Sequence, residues 1–205
     1  MESRIYFKLL IESIMKTKFI YSLMMVTLLF SCEEFVDIDL PTTQISSVHV
    51  FDDVTTANAA MKENYILLRD RVLLTGKGNG VSALMGFYTD ELVNWRASNS
   101  DLQSFYNNSV LVTNSTVNQL WNDSYKVIYN CNKVIEGVAN STNINAVQKE
   151  QLTAEALFVR SVVYFYLIEL FGDIPYVIST DYRLNTKIGK MQRHTLLQNI
   201  IYDAT

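Results

Sequence analysis

The sequence is poor in structure breakers, with 2 prolines and 7 glycines in 205 residues. That scarcity excludes a collagen-like chain and argues against a Pro/Gly-rich disordered one. Cysteine is nearly absent: there are two, Cys32 and Cys131. If Cys32 is modified, no intramolecular disulfide remains and stability has to come from packing. Cys131 falls in an apolar helical pattern with no His or Asp near it in sequence to activate a thiol, and reads as a small buried hydrophobe. The two histidines, His49 and His194, are far apart and have no ligand spacing to Cys or carboxylates, so neither a metal site nor a cofactor is expected. Positive charge is also short: 17 Lys and Arg face 21 Asp and Glu, for a net −4 and a pI near 5.2. Nucleic acid, which is bound through dense basic patches, is not an expected partner. No nucleophile–base pair stands out. Asp90 and Glu91 are adjacent rather than converging on one bond, whereas a glycosidase holds two carboxyls about 5–9 Å apart across its substrate. An enzyme is therefore not expected. What is abundant is apolar surface: 49% of residues are hydrophobic and 19% charged, enough for a sizeable core in one or two domains.

The charge is unevenly placed. Residues 1–31 carry Arg4, Lys8, Lys16 and Lys18 against Glu2 and Glu12, a net of +2, which leaves −6 of the total −4 for the rest. A basic start before an acidic body is the pattern of an export signal. Lys16 and Lys18 form the basic region and Phe19 to Phe30 the apolar one, with Met15 reading as the true start and residues 1–14 as an upstream extension. The apolar run is too short for a bilayer core, which needs about 20 apolar residues. It ends in Leu29-Phe30-Ser31-Cys32, which resembles the bacterial lipobox: aliphatic, tolerant, small, cysteine. Acylation of the Cys32 thiol followed by cleavage before it would explain the small residue at Ser31. The competing reading is an ordinary export signal that happens to contain a cysteine. Glu33 and Glu34 follow, either a sorting signal for the outer face of an outer membrane or a solvated charged tether.

Residues 32–50 read as a lipidated tether, with Pro41 and several Ser and Thr and little periodicity. From 51 onward the chain reads as helical. Asp53 or Thr55 can cap a helix from about Thr56 to Leu74, since their side-chain oxygens accept from free amides of the first turn. Gly76, Gly78 and Gly80 then form a G-x-G-x-G string with no preceding strand and no following helix cap, a flexible loop rather than a phosphate loop. Periodicity fails from Val81 to Thr113, a stretch rich in Asn and Ser with Phe87, Tyr88, Trp95, Phe105 and Tyr106 among them. It resumes in two long runs. Leu120, Trp121, Tyr125, Ile128, Cys131, Asn132 and Ile135 mark a helix from about Thr116 to Val138. Leu152, Ala156, Val159, Val163, Tyr166, Leu167 and Leu170 mark another from about Ala146 to Phe171, stopped by Gly172 and Pro175. Residues 162–168 are apolar nearly all round and should be buried on several sides. A further amphipathic helix begins near Gln192 and is still running where the sequence stops, so the chain reads as truncated. The two long helices with a short polar turn between them make a hairpin of the kind that stacks in tetratricopeptide-like solenoids. The expected fold is all-α, with such hairpins and long irregular loops.

These residues resemble the SusD/RagB family of nutrient-binding outer-membrane lipoproteins. The resemblance rests on Phe35-Val36-Asp37 after the lipobox and on Phe51 through Tyr65. It rests further on Trp121, Tyr125, Ile128, Asn132, Val134 and Ile135, and most specifically on Ala154 through Leu167 followed by Phe171-Gly172-Asp173-Ile174-Pro175. Ser161 stands where an alanine is usual, and family members run to roughly twice this length or more. The resemblance implies that residues 51–205 are the N-terminal part of a helical body lying over a SusC-like TonB-dependent barrel in the outer membrane. There it would hold an oligosaccharide or peptide for import without cutting it. A lipid-anchored helical-repeat scaffold that binds only proteins is the alternative.

Three residues of the aperiodic stretch are candidate ligand contacts: Trp95 as a stacking platform, Asn94 and Asn99 as polar partners. Sugars offer flat C–H faces to aromatic rings and hydroxyls to amides. The opposing reading puts Trp95 in the core beneath a loop, where tryptophan is usually found. Arg160, on an otherwise apolar helix, is expected to reach a carboxylate or helix-end carbonyls, because a buried unpaired charge is prohibitive. Cys32 itself gives a direct test: labelled palmitate is expected to enter the wild-type protein and not Cys32→Ala, and equal labelling of both would rule out acylation at this position.

Overall fold

The computed structural model describes residues 15–18, 49–95, 98 and 100–205. Cys32, the apolar signal region and Asn99 lie outside the described residues. The chain divides into two units, Met1–Gln44 and Ile45–Thr205. In the first, residues 15–18 are helical. The second contains α1 (Val54–Asp70), α2 (Val81–Tyr88), α3 (Ser100–Tyr106), α4 (Ser115–Asn140) and α5 (Ala146–Phe171). Then come β1 (Ile174–Pro175), α6 (Tyr182–Asn185), β2 (Lys190–Met191) and α7 (Arg193–Asp203). The two strands pair antiparallel, Ile174 with Met191 and Pro175 with Lys190, and the architecture is all-α apart from that short ribbon.

The helices begin where short polar side chains can accept orphan amides of the first turn. Asp53 accepts from Thr55 N at 2.5 Å, Asn114 from Val117 N at 3.1 Å and Asn145 from Gln148 N at 2.9 Å. Helix α1 is shorter than the periodicity predicts. It stops at Asp70, and Val72 and Leu73 reach the core from a turn instead, both fully buried. The chain then folds back so tightly that a Cβ on Gly80 would lie 1.9 Å from the Thr75 carbonyl oxygen. Gly80 is the N-cap of α2, which corrects the expectation that the glycine string has no helix cap at its end; Gly76 and Gly78 do sit in open space.

The stretch 81–113, expected to be irregular, holds α2 and α3. Each is only about two turns long, too short for a 3.6-residue period to show. Leu84, Leu102 and Phe105 are their buried apolar side chains, with Val81, Met85 and Phe87 half-buried against the core.

The long helices keep close to their predicted bounds and pack antiparallel. Partners rise along α4 as they fall along α5: Trp121 meets Phe171, Tyr125 meets Tyr164, Asn132 meets Arg160, and Lys149 meets Ala139. Lys149 Nζ donates to the carbonyls of Ala139 and Ser141, closing the turn on the free carbonyl end of α4. Gly172 ends α5 at φ +71°, the left-handed conformation its position demands. Helix α5 packs against α4, α1 and α7. Phe165 nonetheless remains exposed, a partial departure from the all-round burial that the apolar run predicts, and so does Phe158 before it. Cys131 is fully buried, and burial pushes its thiol up to about 12, so it serves as packing. On α4, Gly137 receives the Phe51 ring: a Cβ there would lie 2.2 Å from Phe51 Cδ2. This contact seats the entry of the chain into the helical body.

A polar cluster binds the segment after α5 to the hairpin. Arg160 Nη2 pairs with Asp203 Oδ2 at 2.5 Å and Nη1 donates to Asn132 Oδ1 at 2.7 Å. Asn132 Nδ2 donates to the Val177 carbonyl at 3.0 Å, while the Tyr164 hydroxyl donates to that carbonyl at 3.0 Å and accepts Val177 N–H at 2.7 Å. Tyr125 donates to the Pro175 carbonyl at 2.7 Å and Tyr176 to Asp203 at 2.8 Å. Burial raises the phenol pKa values of Tyr125, Tyr164 and Tyr176, so all three stay protonated donors. Arg160 thus reaches a carboxylate, as the sequence predicts.

Two substitutions test this packing. Arg160→Met leaves Asp203 and Asn132 without their partner, and unfolding measurements are expected to show a loss of roughly 3 kcal/mol; an unchanged midpoint would contradict a structural role. Ser161→Ala is expected to be neutral or stabilising by up to about 1 kcal/mol, because Ser161 Oγ is buried without a hydrogen-bond partner. A clear drop in urea midpoint for Ser161→Ala would show that the hydroxyl is satisfied after all.

Candidate functional site

The loop carrying Trp95 is built from the end of α2. Thr89 N closes onto the Met85 carbonyl, and Asp90 turns the chain at φ +62°, a left-handed position that Asp and Asn tolerate better than most residues. Leu92 then folds back. Its N–H donates to the Gly86 carbonyl at 2.9 Å, and its side chain lies so close that a Cβ on Gly86 would sit 2.8 Å from Leu92 Cδ1. Glycine at position 86 is what admits this approach.

Beyond Leu92 the loop is tied down by amides. Asn94 Nδ2 donates to Gln103 Oε1 at 2.9 Å, and Gln103 Nε2 donates to Asn107 Oδ1 at 3.0 Å. Gln103 and Asn107 lie one turn apart at the end of α3. That short helix is in turn fastened to α4. Asn114, which caps α4, also donates to the Asp101 carbonyl at 3.1 Å and to Ser104 Oγ at 2.9 Å, while the Ser115 hydroxyl bonds the Asp101 carboxylate. One buried asparagine therefore serves two helices.

Trp95 stands at the outer end of this arrangement with 90% of its surface exposed. The reading that places it in the core is overturned by that exposure; on the neighbouring short helices it is Leu84, Leu102 and Phe105 that are buried. Asn94 is half-buried and commits its amide N–H to Gln103, so it holds the loop. Asn99 lies outside the described residues. Asp90 and Glu91 are both exposed. Gln103, Asn107 and Asn114 were not singled out from sequence, although Asn114 three residues before the first apolar position of a long helix carries a capping signal, and two amides at i, i+4 on a helix carry a pairing one.

An exposed indole beside a string of side-chain amides can stack on a flat apolar face while amides meet hydroxyls at its edge. Concavities lie elsewhere on the described residues. One of about 290 Å³ is lined by Phe51, Asp52, Lys133, Glu136, Gly137 and Thr180 among others, and the Glu136 carboxylate there is taken by Thr180 N at 2.9 Å and by the Thr180 hydroxyl. Another, of about 400 Å³, runs along Lys149 to Phe158 beside residues 203–205. Trp95 lines neither. Among the described residues, no three His, Cys, Asp or Glu side chains gather as a metal site would require.

Comparison with known proteins gives a consistent result. Residues 35–205 match the model of a SusD-like family described as starch-binding and associating with the outer membrane. SusD-like protein P25 of Formosa agariphila is 25% identical over 190 residues, covering 85% of this chain but 34% of that protein. SusD-like protein P2 of the same organism is 30% identical over 92 residues, covering 44% of this chain and 18% of the relative. Among solved structures, a SusD-like carbohydrate-binding protein from Bacteroides fragilis superposes with a TM-score of 0.60 at 21% identity, covering 76% of this chain and 31% of that one. A SusD superfamily protein from Bacteroides vulgatus gives 0.63 at 20% identity, with coverages of 75% and 33%. The chain thus spans about a third of the length of P25 and of these two structures. Its helical hairpin, its Gly172–Pro175 turn and the family model over residues 35–205 agree, and the chain belongs to the SusD-like family.

Proposed function

We propose that this chain is the N-terminal part of a surface lipoprotein that captures a glycan and passes it to a TonB-dependent outer-membrane barrel. The family description, starch-binding and associating with the outer membrane, supports the ligand class and the location. Anchoring through an acylated Cys32 would place the body at a membrane surface, and two or more acyl chains make a stable anchor. The binding role, rather than a catalytic one, fits a site made of an indole and amides with no group poised for proton transfer or nucleophilic attack.

The observation that carries the reading is Trp95, almost wholly exposed on a loop fastened by Asn94. An aromatic ring left in water at that level is unfavourable by itself, since burying a large apolar side chain stabilises by about 1.5–3 kcal/mol. A ring held there by its own local structure fits a stacking role. An oligopeptide ligand is the second possibility, because an exposed ring also receives apolar side chains.

Trp95→Ala provides the test. Calorimetry with malto-oligosaccharides and with a panel of other glycans is expected to show at least tenfold weaker binding, since aromatic contacts of this kind contribute on the order of 1–3 kcal/mol. The melting temperature is expected to stay within about a degree, as for surface substitutions generally. Normal glycan binding by Trp95→Ala would remove the ring from the site. Binding only to oligopeptides would change the ligand class, and capture of the barrel with no small ligand would favour a scaffold.

A further inference from the structure

The exposure of Trp95 poses a question of geometry. An indole on a surface loop loses affinity if it must be ordered at the moment of binding, because immobilising a side chain or loop at an interface opposes association. Loop residues 93–95 have no helix or strand of their own. Among the described residues, the loop that carries the ring is restrained through Leu92 and Asn94.

One side of the restraint is Leu92 against Gly86. The other is Asn94, which donates to Gln103 on α3. Helix α3 is itself anchored: Leu102 and Phe105 are buried, and Asn114, the N-cap of the 26-residue helix α4, bonds Asp101 and Ser104. The connection from platform to hairpin then runs Trp95, Asn94, Gln103, α3, Asn114, α4. Gln103 is the step at which the loop is joined to a rigid element. Its other amide group donates to Asn107, which fixes the Gln103 side chain from the far side.

We infer that Gln103 is the positioning residue for the Trp95 platform: it does not touch the ligand but holds the ring in its binding orientation before the ligand arrives. The inference rests on the reading of Trp95 as a ligand platform for its affinity consequence, and on geometry alone for its effect on the ring. The two amide partners of Gln103 differ in kind. Toward Asn94 it accepts, and toward Asn107 it donates. A glutamate at position 103 keeps the acceptor that Asn94 needs, and a leucine keeps neither.

The experiment uses the full chain labelled with 5-fluorotryptophan and fluorine NMR. The protein has two tryptophans, so two resonances are expected, with that of Trp95 assigned by its loss in Trp95→Phe. Trp121, packed 4.8 Å from Tyr125 and 5.1 Å from Phe171, reports on the fold. In Gln103→Leu the Trp95 line is expected to sharpen and move toward the free amino-acid position while the Trp121 line stays put. In Gln103→Glu both lines are expected to stay. Asn94→Ala removes the same bond from the loop side and should reproduce the leucine result if Gln103→Leu fails to fold. Titration with maltoheptaose is expected to show roughly two- to tenfold weaker binding for Gln103→Leu, with recovery in Gln103→Glu. No further loss is expected when Gln103→Leu is added to Trp95→Ala, because the effect acts through the ring. An unmoved Trp95 line in both Gln103→Leu and Asn94→Ala would overturn the inference whatever the ligand proves to be. Additive losses in the double variant would overturn it as well, by giving Gln103 a contact of its own. Wild-type protein that binds no glycan, with the Trp95 line moving as expected, would sink the proposed function and leave the positioning of the ring intact.

Discussion

The helical body depends on how the chain is held after it leaves α5. Gly172 and Pro175 end that helix, and the next residues have no long helix or sheet to satisfy their backbone groups. Buried backbone amides and carbonyls must nonetheless find partners. Side chains of the hairpin supply them: Tyr125 takes the Pro175 carbonyl, and Asn132 and Tyr164 together take both groups of Val177. Arg160 completes the cluster by bonding Asn132 on α4 and Asp203 at the end of α7, so that one guanidinium joins three helices. Removing water from such a charge is tolerable because Asp203 pairs it and Asn132 accepts from it, although its Nε is buried without a partner.

The residues that make the family recognisable are largely these. Tyr125, Asn132, Arg160, Tyr164 and the Phe171–Pro175 turn serve the packing of the hairpin against the returning chain. The aromatic series Trp121, Tyr125, Tyr164 and Tyr176 has ring centroids 4.8–6.4 Å apart at tilted or edge-on angles, the favourable arrangements for rings with a negative face and positive edge. A motif built from such residues identifies a fold. It does not identify a ligand, because none of these side chains is free to meet one.

The part that carries Trp95 is assembled differently, from short elements fastened to that frame. Helices α2 and α3 are each about two turns long and could not persist alone in water. Asn114 connects α3 to the stable hairpin, and the loop bearing Trp95 is fastened to α3. Such a layout lets the exposed residues vary while the frame stays constant, which is the usual division between a rigid scaffold and the loops it carries.

How much of this was legible in the residues follows from length and period. The α4–α5 hairpin was, to within about two residues at each end, because 26 residues repeat a 3.6-residue pattern many times and the Asn- and Ser-rich turn and Gly172 punctuate it. The pairing of Arg160 with some carboxylate was legible too, since burial of an unpaired charge is prohibitive wherever it occurs. That the carboxylate belongs to Asp203 was not, because 43 positions separate the two and nothing local selects among the acids of the chain. The early end of α1 and the two short helices between residues 81 and 106 were hidden because a helix of two turns leaves no measurable period. The exposure of Trp95 was hidden for a related reason: a tryptophan among Asn and Ser has the same local sequence whether it fills a core or stands in water. Only the folded chain decides that Leu84, Leu102 and Phe105 are buried in this stretch while Trp95 stays in water. Local pattern determined the helices and the family, and contacts between residues distant in the chain decided which polar groups meet and which ring is left outside.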